Sequence, residues 1–309
     1  MQRDDVIDWL MQGDPVIRWQ AMRDLSHLPA EAWEAERHRT VEHGWCAQFI
    51  EGLRPDGTWS DGRWTGTVWT LLTLIDCGIP NTCPPVLDAA HRFLSHNLTR
   101  ERALDEKWLL TQMDLCHLGF WLRIGAYFRF DPCLLTHLIG TVLRAQMPDG
   151  GWNCRVRNYP QTHHSSFHTT FNILEGLAAA ADYGVLPQAA LKECENKALE
   201  FMLQHKMYKS DKTGEVISER FTHLTFPSHW HYTVLRGLDY MSNCEQITDA
   251  RLNSAIELVL SRRSVRGTWP NEKRIPGTTL FDMEKPGGDS RWNTLRAMRV
   301  LARRTMVRP

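Results

Sequence analysis

The sequence predicts an all-α protein built from a repeated pair of helices. Apolar residues recur at helical spacing along most of the 309 residues, and no clear alternating strand run of useful length occurs. Three short segments also share a Gly-x-Trp core, and each follows a segment with helical periodicity; they are 55–59, 148–152 and 266–269. Recurrence at long and fairly regular intervals is typical of an array of one supersecondary unit.

The helical segments are of two kinds, which alternate along the chain. Charged amphipathic segments are expected on the outside, and more continuously apolar segments on the inside, because a helix that is apolar on nearly all sides is a buried one. Prolines at positions 84, 85 and 132 suit helix starts. The predicted outer helices are 3–11, 32–53, 84–98, 132–147, 191–207 and 250–263, and the predicted inner helices are 14–25, 65–77, 112–128, 166–182, 229–241 and 290–303.

Six outer and six inner helices predict a closed ring of six helical hairpins, an (α/α)6 toroid formed by one domain over residues 1–309. An open solenoid is the alternative, but a solenoid does not need such apolar inner helices. Between hairpins, Pro-Asp-Gly predicts a turn in which glycine takes a positive φ. The following tryptophan is expected to fill a gap between outer helices, with the Gln146 amide meeting the hydrogen-bonding need of Trp152.

The inner helices align with one another on a threonine near their start, as in His168-Thr169-Thr170 and His231-Tyr232-Thr233. In a closed ring the first turns of these helices face a common mouth. The residues two positions before the threonine would line it, with Cys116 and Arg18 as further candidates; they are Val68, His168, His231 and Trp292.

Composition and charge exclude several classes of function. The formal net charge is +0 and the pI is about 7.2, whereas a nucleic-acid or anionic-membrane surface needs a basic excess. No run approaches the roughly 18–20 apolar residues of a membrane span. The first residues lack the features of a signal peptide, so a cytoplasmic protein is expected. The eight cysteines are scattered without a CxxC pair and are expected to be thiols.

One motif resembles a known family. The segment 146–152, Gln-Met-Pro-Asp-Gly-Gly-Trp, is similar to the glutamine–tryptophan motif of squalene–hopene cyclases, and the other two Gly-x-Trp segments look like degenerate copies. The segments 9–15 and 23–25 also resemble bacterial squalene-cyclase-like proteins. The resemblance implies the (α/α)6 toroid that triterpene cyclases share with prenyltransferase β subunits, lanthionine cyclases and complement-like domains.

Two departures from the triterpene cyclases bear on activity. The DxDD motif, with which those enzymes protonate an alkene, does not occur, and the chain has about half the length of a two-domain cyclase. The nearest acidic sets are Asp282-Met283-Glu284 and Asp105-Glu106. Cyclisation of a polyene by protonation at carbon is therefore not expected.

The resemblance to protein prenyltransferases implies a zinc site. Their Asp-x-Cys aligns with Ser166 and His168, and their zinc-binding histidine aligns with His231. Cys154 and His164 are close enough in sequence to approach the same mouth. A catalytic zinc needs about three nitrogen, sulfur or oxygen ligands and an open position. The predicted metal ligands are therefore His168, His231, Cys154 and His164, although each is equally interpreted as a structural histidine or an inert thiol.

Metal-free chemistry is the alternative use of the same residues. Histidines 168 and 231 could transfer protons near neutral pH, with Asp282, Glu284 or Asp114 as carboxylate partners. Asp282 is therefore predicted to be catalytic together with His168 and His231. Aromatic and basic residues near the predicted mouth are candidates for substrate binding; they are Trp69, Trp230, Trp292, Tyr232 and Arg155.

The sequence thus predicts a terpenoid cyclase-like or prenyltransferase-like enzyme that acts on a hydrophobic small molecule in a central cavity. The long connections 208–228 and 270–289 are predicted to be binding loops or lids. Two other functions stay open. One is a carbohydrate-active enzyme with two carboxylates roughly 5–10 Å apart, and the other is a non-catalytic binding module.

Overall fold

The computed structural model describes residues 3–60, 62, 64–272 and 275–306, and it confirms an all-α protein. Within these residues the only paired strands are two residues long, β1 (Trp269–Pro270) and β2 (Asp289–Ser290), which are antiparallel. The helices are α1 (Arg3–Met11), α2 (Pro15–Asp24), α3 (Ala30–His38), α4 (Gly44–Glu51), α5 (Thr67–Cys77), α6 (Pro84–Asn97), α7 (Arg100–Leu104), α8 (Glu106–Gln112), α9 (Leu115–Tyr127), α10 (Pro132–Arg144), α11 (Phe167–Asp182), α12 (Gln188–Gln204), α13 (Glu219–Thr222), α14 (Val234–Met241), α15 (Asn253–Ser261) and α16 (Arg291–Met306), with 3₁₀ turns at 39–41, 154–157, 245–248 and 250–252.

Each of the twelve predicted segments contains a helix, and the differences lie at breaks and ends. The predicted helix 32–53 is divided into α3, a 3₁₀ turn and α4. The chain breaks at Gly44, which has a φ of 76°, and the backbone amide of the next residue, Trp45, donates to the Asp14 carboxylate at 2.8 Å. The predicted helix 229–241 begins only at Val234. His229 has a φ of 48°, and the Thr233 side chain caps the helix by accepting from the Arg236 amide at 3.3 Å.

Helices α10 and α11 begin at side-chain caps. The Asp131 carboxylate accepts from the Cys133 amide at 2.8 Å, and Pro132 takes the first helical position. The Ser166 hydroxyl accepts from the Thr169 amide at 3.4 Å. Such caps satisfy donors that have no partner inside the helix. Thr169 and its neighbours are thereby fixed in the first turn of α11.

The three Gly-x-Trp segments have one conformation. Their glycines 57, 150 and 267 have φ values of 84°, 98° and 83°, and the residue three before each glycine accepts a hydrogen bond from that glycine's amide at 2.9–3.0 Å. The Trp152 and Trp269 amides donate to Thr170 and Thr294, each at 2.9 Å. The sequence repeat is therefore a structural repeat, in which the turn is attached to the first turn of the next inner helix.

The expected role of Gln146 is corrected by the structure. The indole N–H of Trp152 donates to the Val142 carbonyl at 2.7 Å, and Trp269 makes the same bond to Val259. The Gln146 amide instead donates to the carbonyls of Gly150 at 2.7 Å and Cys194 at 2.8 Å. Helices α10 and α15, which precede the turns at Trp152 and Trp269, supply the acceptors of these two indole groups. The Gln146 amide is thereby left to join its turn to α12.

The described chain divides into two compact units. The first unit comprises residues 1–52, 76–80 and 203–309, and the second comprises 53–75 and 81–202. In the second unit α9 packs against α11 with almost no space between the two backbones. A Cβ atom added to Gly119 would lie 2.5 Å from the Asn172 carbonyl oxygen, and one added to Gly176 would overlap the Gly119 carbonyl. The small residues of α9 and α11 permit this approach.

In the first unit the helices from the two ends of the chain pack together. Helix α16 contacts both α2 and α14. The Arg291 guanidinium donates to the Trp9 carbonyl at 3.1 Å and lies 4.4 Å from the centre of the Trp9 ring. Arg299 donates to Gln20 at 3.2 Å and pairs with Asp24 at 3.4 Å. This unit is therefore assembled from segments that are far apart in sequence.

Among the described helices, none has the length and apolar character that a bilayer crossing requires.

Candidate functional site

A crevice in the first unit collects aromatic and ionisable side chains. The space between its walls is narrow, with a cavity volume of about 20 Å³, and it is partly open to solvent. Its walls come from the connections 208–228 and 270–289, which the sequence predicted to be binding loops. The lining residues are Phe226, Pro227, His229, Asn271, Ile275, Thr279, Phe281, Asp282, Met283, Glu284 and Pro286.

Glu284 is the best-defined carboxyl group of the crevice. It accepts hydrogen bonds from the Ser290 hydroxyl and from the Trp292 amide, the latter at 3.0 Å, at the start of α16. Burial raises the pKa of Glu284, although the bonds from Ser290 and from backbone amides act in the opposite direction. The carboxyl group is therefore held in a fixed position and retains its proton to a higher pH than an exposed glutamate.

His229 lines the same crevice, and its pKa is shifted down where that of Glu284 is shifted up. Burial, followed by the nearby His231 and the Arg236 guanidinium, lowers the pKa of His229 to about 3. Arg236 donates to the backbone carbonyls of His229 at 2.9 Å and His231 at 3.1 Å, which fixes this turn. The imidazole is therefore neutral at physiological pH and can accept a hydrogen bond.

Aromatic rings support both sides of the crevice. Phe226 stacks on Trp292 with ring centres 3.9 Å apart and planes inclined by 14°, and Phe281 packs on Phe49 at 4.6 Å. The Trp292 indole N–H is buried and makes no hydrogen bond to any described residue. Trp292, predicted to bind substrate, thus packs behind Phe226, which lines the crevice.

The other predicted residues of this unit lie before α14 or within the core. His231 is buried, with its Nδ1 atom 3.3 Å from the Ser228 carbonyl, and it stacks on Trp230 at 3.9 Å. Tyr232 is fully buried and donates to the Met207 carbonyl at 2.9 Å, and burial raises the pKa of its hydroxyl. Asp282 is exposed at the crevice. The substrate-binding roles of Trp230 and Tyr232 stay predictions.

The remaining predicted residues lie in the second unit. His168 is the second residue of α11, and the exposed His164 accepts from the Asn153 side chain through its carbonyl at 2.7 Å. The Arg155 guanidinium lies 4.9 Å from the centre of the Tyr159 ring. Trp69 packs edge-on against Trp64 and Phe120, with ring centres 5.4 and 5.2 Å away.

A second cluster of reactive groups surrounds Cys154 in this unit. The Cys154 Sγ atom accepts from the Thr169 hydroxyl and from the Cys116 amide, each at 3.3 Å. Hydrogen bonding from the Cys116 thiol, and then from Thr169, lowers the pKa of Cys154 to about 7, while burial and the Asp114 carboxylate oppose the change. The pKa of the Cys116 thiol is raised, because it donates to Cys154.

These contacts bear on the predicted zinc site. Cys154 contacts Cys116 and Thr169, and His168 and His231 belong to different units. In the part of the chain that the structure describes, no group of three or more His, Cys, Asp or Glu side chains is arranged to hold a metal ion. A zinc site formed by the predicted ligands stays a prediction, and no chemical step is derived through zinc.

Comparisons with known proteins identify no relative: no protein-family model, no curated protein and no solved structure matches the chain.

Sequence reasoning selected the segments that line the crevice but placed the chemistry elsewhere. It named Asp282 and Glu284 as an acidic set, yet it assigned the chemistry to His168 and His231, an assignment that stays a prediction. The stronger signal was the concentration of proline, glycine and acidic residues in 270–289, which marks a folded loop with ionisable groups. Cys116 was singled out only as a less certain mouth residue, since a scattered cysteine has no spacing pattern.

Proposed function

We propose that this protein is an enzyme that transfers protons to and from a hydrophobic small molecule bound against the open side of the crevice of the first unit. Glu284 is the proton donor, and the observation that carries the proposal is its buried carboxyl group with a raised pKa beside an aromatic wall. A general acid works best when its pKa approaches the working pH. Burial acts on Glu284 in that direction.

The neutral His229 complements this acid. Because a pKa of about 3 makes the His229 imidazole a weak base at neutral pH, its part is to hydrogen-bond a polar group of the substrate, while Glu284 donates the proton and takes it back as a carboxylate. Asp282, predicted to be catalytic, is at the same crevice and is accessible to a polar group of the substrate.

The apolar part of the substrate fits the phenyl groups of Phe226 and Phe281. Aromatic faces shelter hydrocarbon and stabilise cationic character that develops on protonation. We therefore propose the terpenoid class of substrates that the squalene-cyclase resemblance implies, in an isomerase-like or lyase-like reaction. A prenyltransferase-like reaction with zinc stays a prediction, which metal analysis of the purified protein tests.

We also propose that the helical hairpins close into a single (α/α)6 toroid. Contact between α2 and α16, which come from opposite ends of the chain, supports closure, since the terminal repeats of an open solenoid do not meet. The turns repeated around Trp59, Trp152 and Trp269 support an array of equivalent hairpins.

The test of the proposed reaction uses terpenoid alcohols in deuterated water. The full chain is incubated with geraniol or farnesol, and the products are analysed by mass spectrometry for deuterium and for new isomers. Glu284→Gln, which keeps an acceptor for the α16 amides, should reduce the exchange rate about 100-fold or more. Glu106→Gln is the matched control, because Glu106 forms an exposed ion pair with Arg144 at 2.8 Å.

An unchanged exchange rate in folded Glu284→Gln protein would contradict the proposal.

A second candidate, a carbohydrate-active enzyme, is favoured only by the two carboxyl groups, Asp282 and Glu284, that line one crevice. Release of reducing sugar from an oligosaccharide, lost in both Asp282→Asn and Glu284→Gln, would establish that function instead.

A further inference from the structure

We propose that Cys154 and Cys116 form a peroxide-reactive dithiol site, which a hydroperoxide converts to a disulfide. The site lies in the second unit and is independent of the proposed acid–base reaction. Its two thiols are 38 residues apart in sequence, and the Cys116 amide donates directly to the Cys154 sulfur at 3.3 Å. This contact makes the two side chains neighbours in the folded protein.

The hydrogen bonds around Cys154 prepare it as the attacking sulfur. Its Sγ atom accepts from the Thr169 hydroxyl at 3.3 Å and from the Cys116 amide at the start of the 13-residue helix α9. The partial positive charge of a helix N-terminus and hydroxyl donors stabilise a thiolate. The Asp114 carboxylate, which precedes α9, is the charge that opposes this effect, and it is paired with Arg157 at 3.5 Å.

Solvent exposure distinguishes this pair from the other pair of neighbouring thiols. Cys116 and Cys154 are both partly exposed, whereas Cys46 and Cys77, which also hydrogen-bond to each other, have no exposed surface. Cys133 is exposed and belongs to neither pair. A small hydroperoxide can therefore reach Cys154 in the folded protein, and the second thiol is already beside it.

The reaction has two balanced steps. The Cys154 thiolate attacks one peroxide oxygen, the O–O bond breaks, and the departing alkoxide takes a proton to leave as an alcohol, or as water from hydrogen peroxide. The sulfur is oxidised by two electrons to a sulfenic acid. The Cys116 thiol then attacks this sulfur, the S–O bond breaks, and the hydroxide leaves as water with the Cys116 proton.

The experiment treats the full chain with hydrogen peroxide and maps the products by mass spectrometry without reduction. The free-thiol count of the unfolded product should fall by two, from the eight cysteines of the sequence to six. A peptide pair linked through Cys116 and Cys154 should appear, and Cys133→Ser should leave it unchanged. In Cys116→Ser protein, dimedone should trap a sulfenic acid on Cys154.

Thr169→Val tests the hydrogen bond to the attacking sulfur and should slow disulfide formation several-fold, while far-UV circular dichroism reports whether the fold is kept. The proposal is overturned if native wild-type protein is oxidised only at Cys133, or if the linked pair forms only after unfolding in urea. Release of bound zinc during oxidation would also overturn it, in favour of a metal site.

Discussion

His229 combines a left-handed backbone with a buried imidazole. A φ of 48° is uncommon outside glycine, although asparagine, aspartate and histidine adopt it more readily than other residues. The surroundings of the same residue lower its pKa to about 3. Unfavourable conditions of this kind persist where the surroundings over-determine them, and they cluster at functional sites.

This residue gives the protein a specific pH dependence. Below pH 6.5 the unfolded chain protonates His229 but the folded chain does not, so stability falls as the pH falls from 6.5 towards 3. At pH 5 this group alone should lower the free energy of unfolding by about 2 kcal/mol relative to pH 7. Urea unfolding at the two pH values measures it.

His229→Asn should remove this difference, because asparagine accepts the positive φ and has no proton to bind. His163→Asn is the control, since His163 is exposed in the second unit. If the free energy of unfolding of His229→Asn differed between pH 5 and pH 7 as much as that of the wild type, the pH dependence would come from another residue.

The inner helices α9 and α11 depend on two glycines. A methyl group on Gly119 would lie 2.5 Å from the Asn172 carbonyl oxygen, and backbone atoms cannot move aside as a flexible side chain can. Gly119→Ala should therefore destabilise the protein by about 2–4 kcal/mol, despite the better helix propensity of alanine. Thermal or urea unfolding of the variant measures the loss.

Gly140 in α10 is the matched control. The nearest atom to a Cβ added there is Nη1 of the Arg144 guanidinium at 3.2 Å, the end of a flexible side chain. Gly140→Ala should therefore be neutral or stabilising by up to about 1 kcal/mol. Equal effects of the two substitutions would contradict the close packing of α9 on α11.

The existence of the helices could be predicted from periodicity, whereas their breaks could not. Helices α7 and α8 were missed because they are short, and their caps Thr99 and Asp105 precede no long apolar run. The predicted partner of the Trp152 indole N–H, Gln146, was wrong, because a backbone carbonyl ten residues earlier in the chain has no sequence signature. The two-residue strands around Trp269 are too short for an alternating pattern.

At the scale of the whole molecule, the proposed ring predicts one unfolding transition. Hairpins that share a closed core should unfold cooperatively, so circular dichroism and tryptophan fluorescence should give the same urea midpoint. Two separated transitions would contradict the ring and would assign independent stability to the second unit, residues 53–75 and 81–202. This measurement also tests the predicted single domain.

The sequence could indicate that the chemistry lies in loops before inner helices, but not which loop residues meet. The predicted pair, His168 and His231, was chosen by aligning repeats, and the alignment assumed a full helix where 229–233 forms a turn. The Glu284 site depends on the path of the segment 270–289, which has no periodicity to follow. The helices could therefore be predicted from the local sequence pattern, whereas the residues that line the candidate site are brought together by tertiary contacts.

The packing of α2 against α16 has a consequence for how the protein is made. The side of α2 that binds α16, with Gln20 and Asp24, emerges from the ribosome long before their partner Arg299 is translated. At synthesis rates of about 5–20 residues per second, these side chains wait on the order of ten seconds or more for that partner. The first unit therefore cannot complete its packing until the last helix is made, while the second unit can begin to fold on the ribosome.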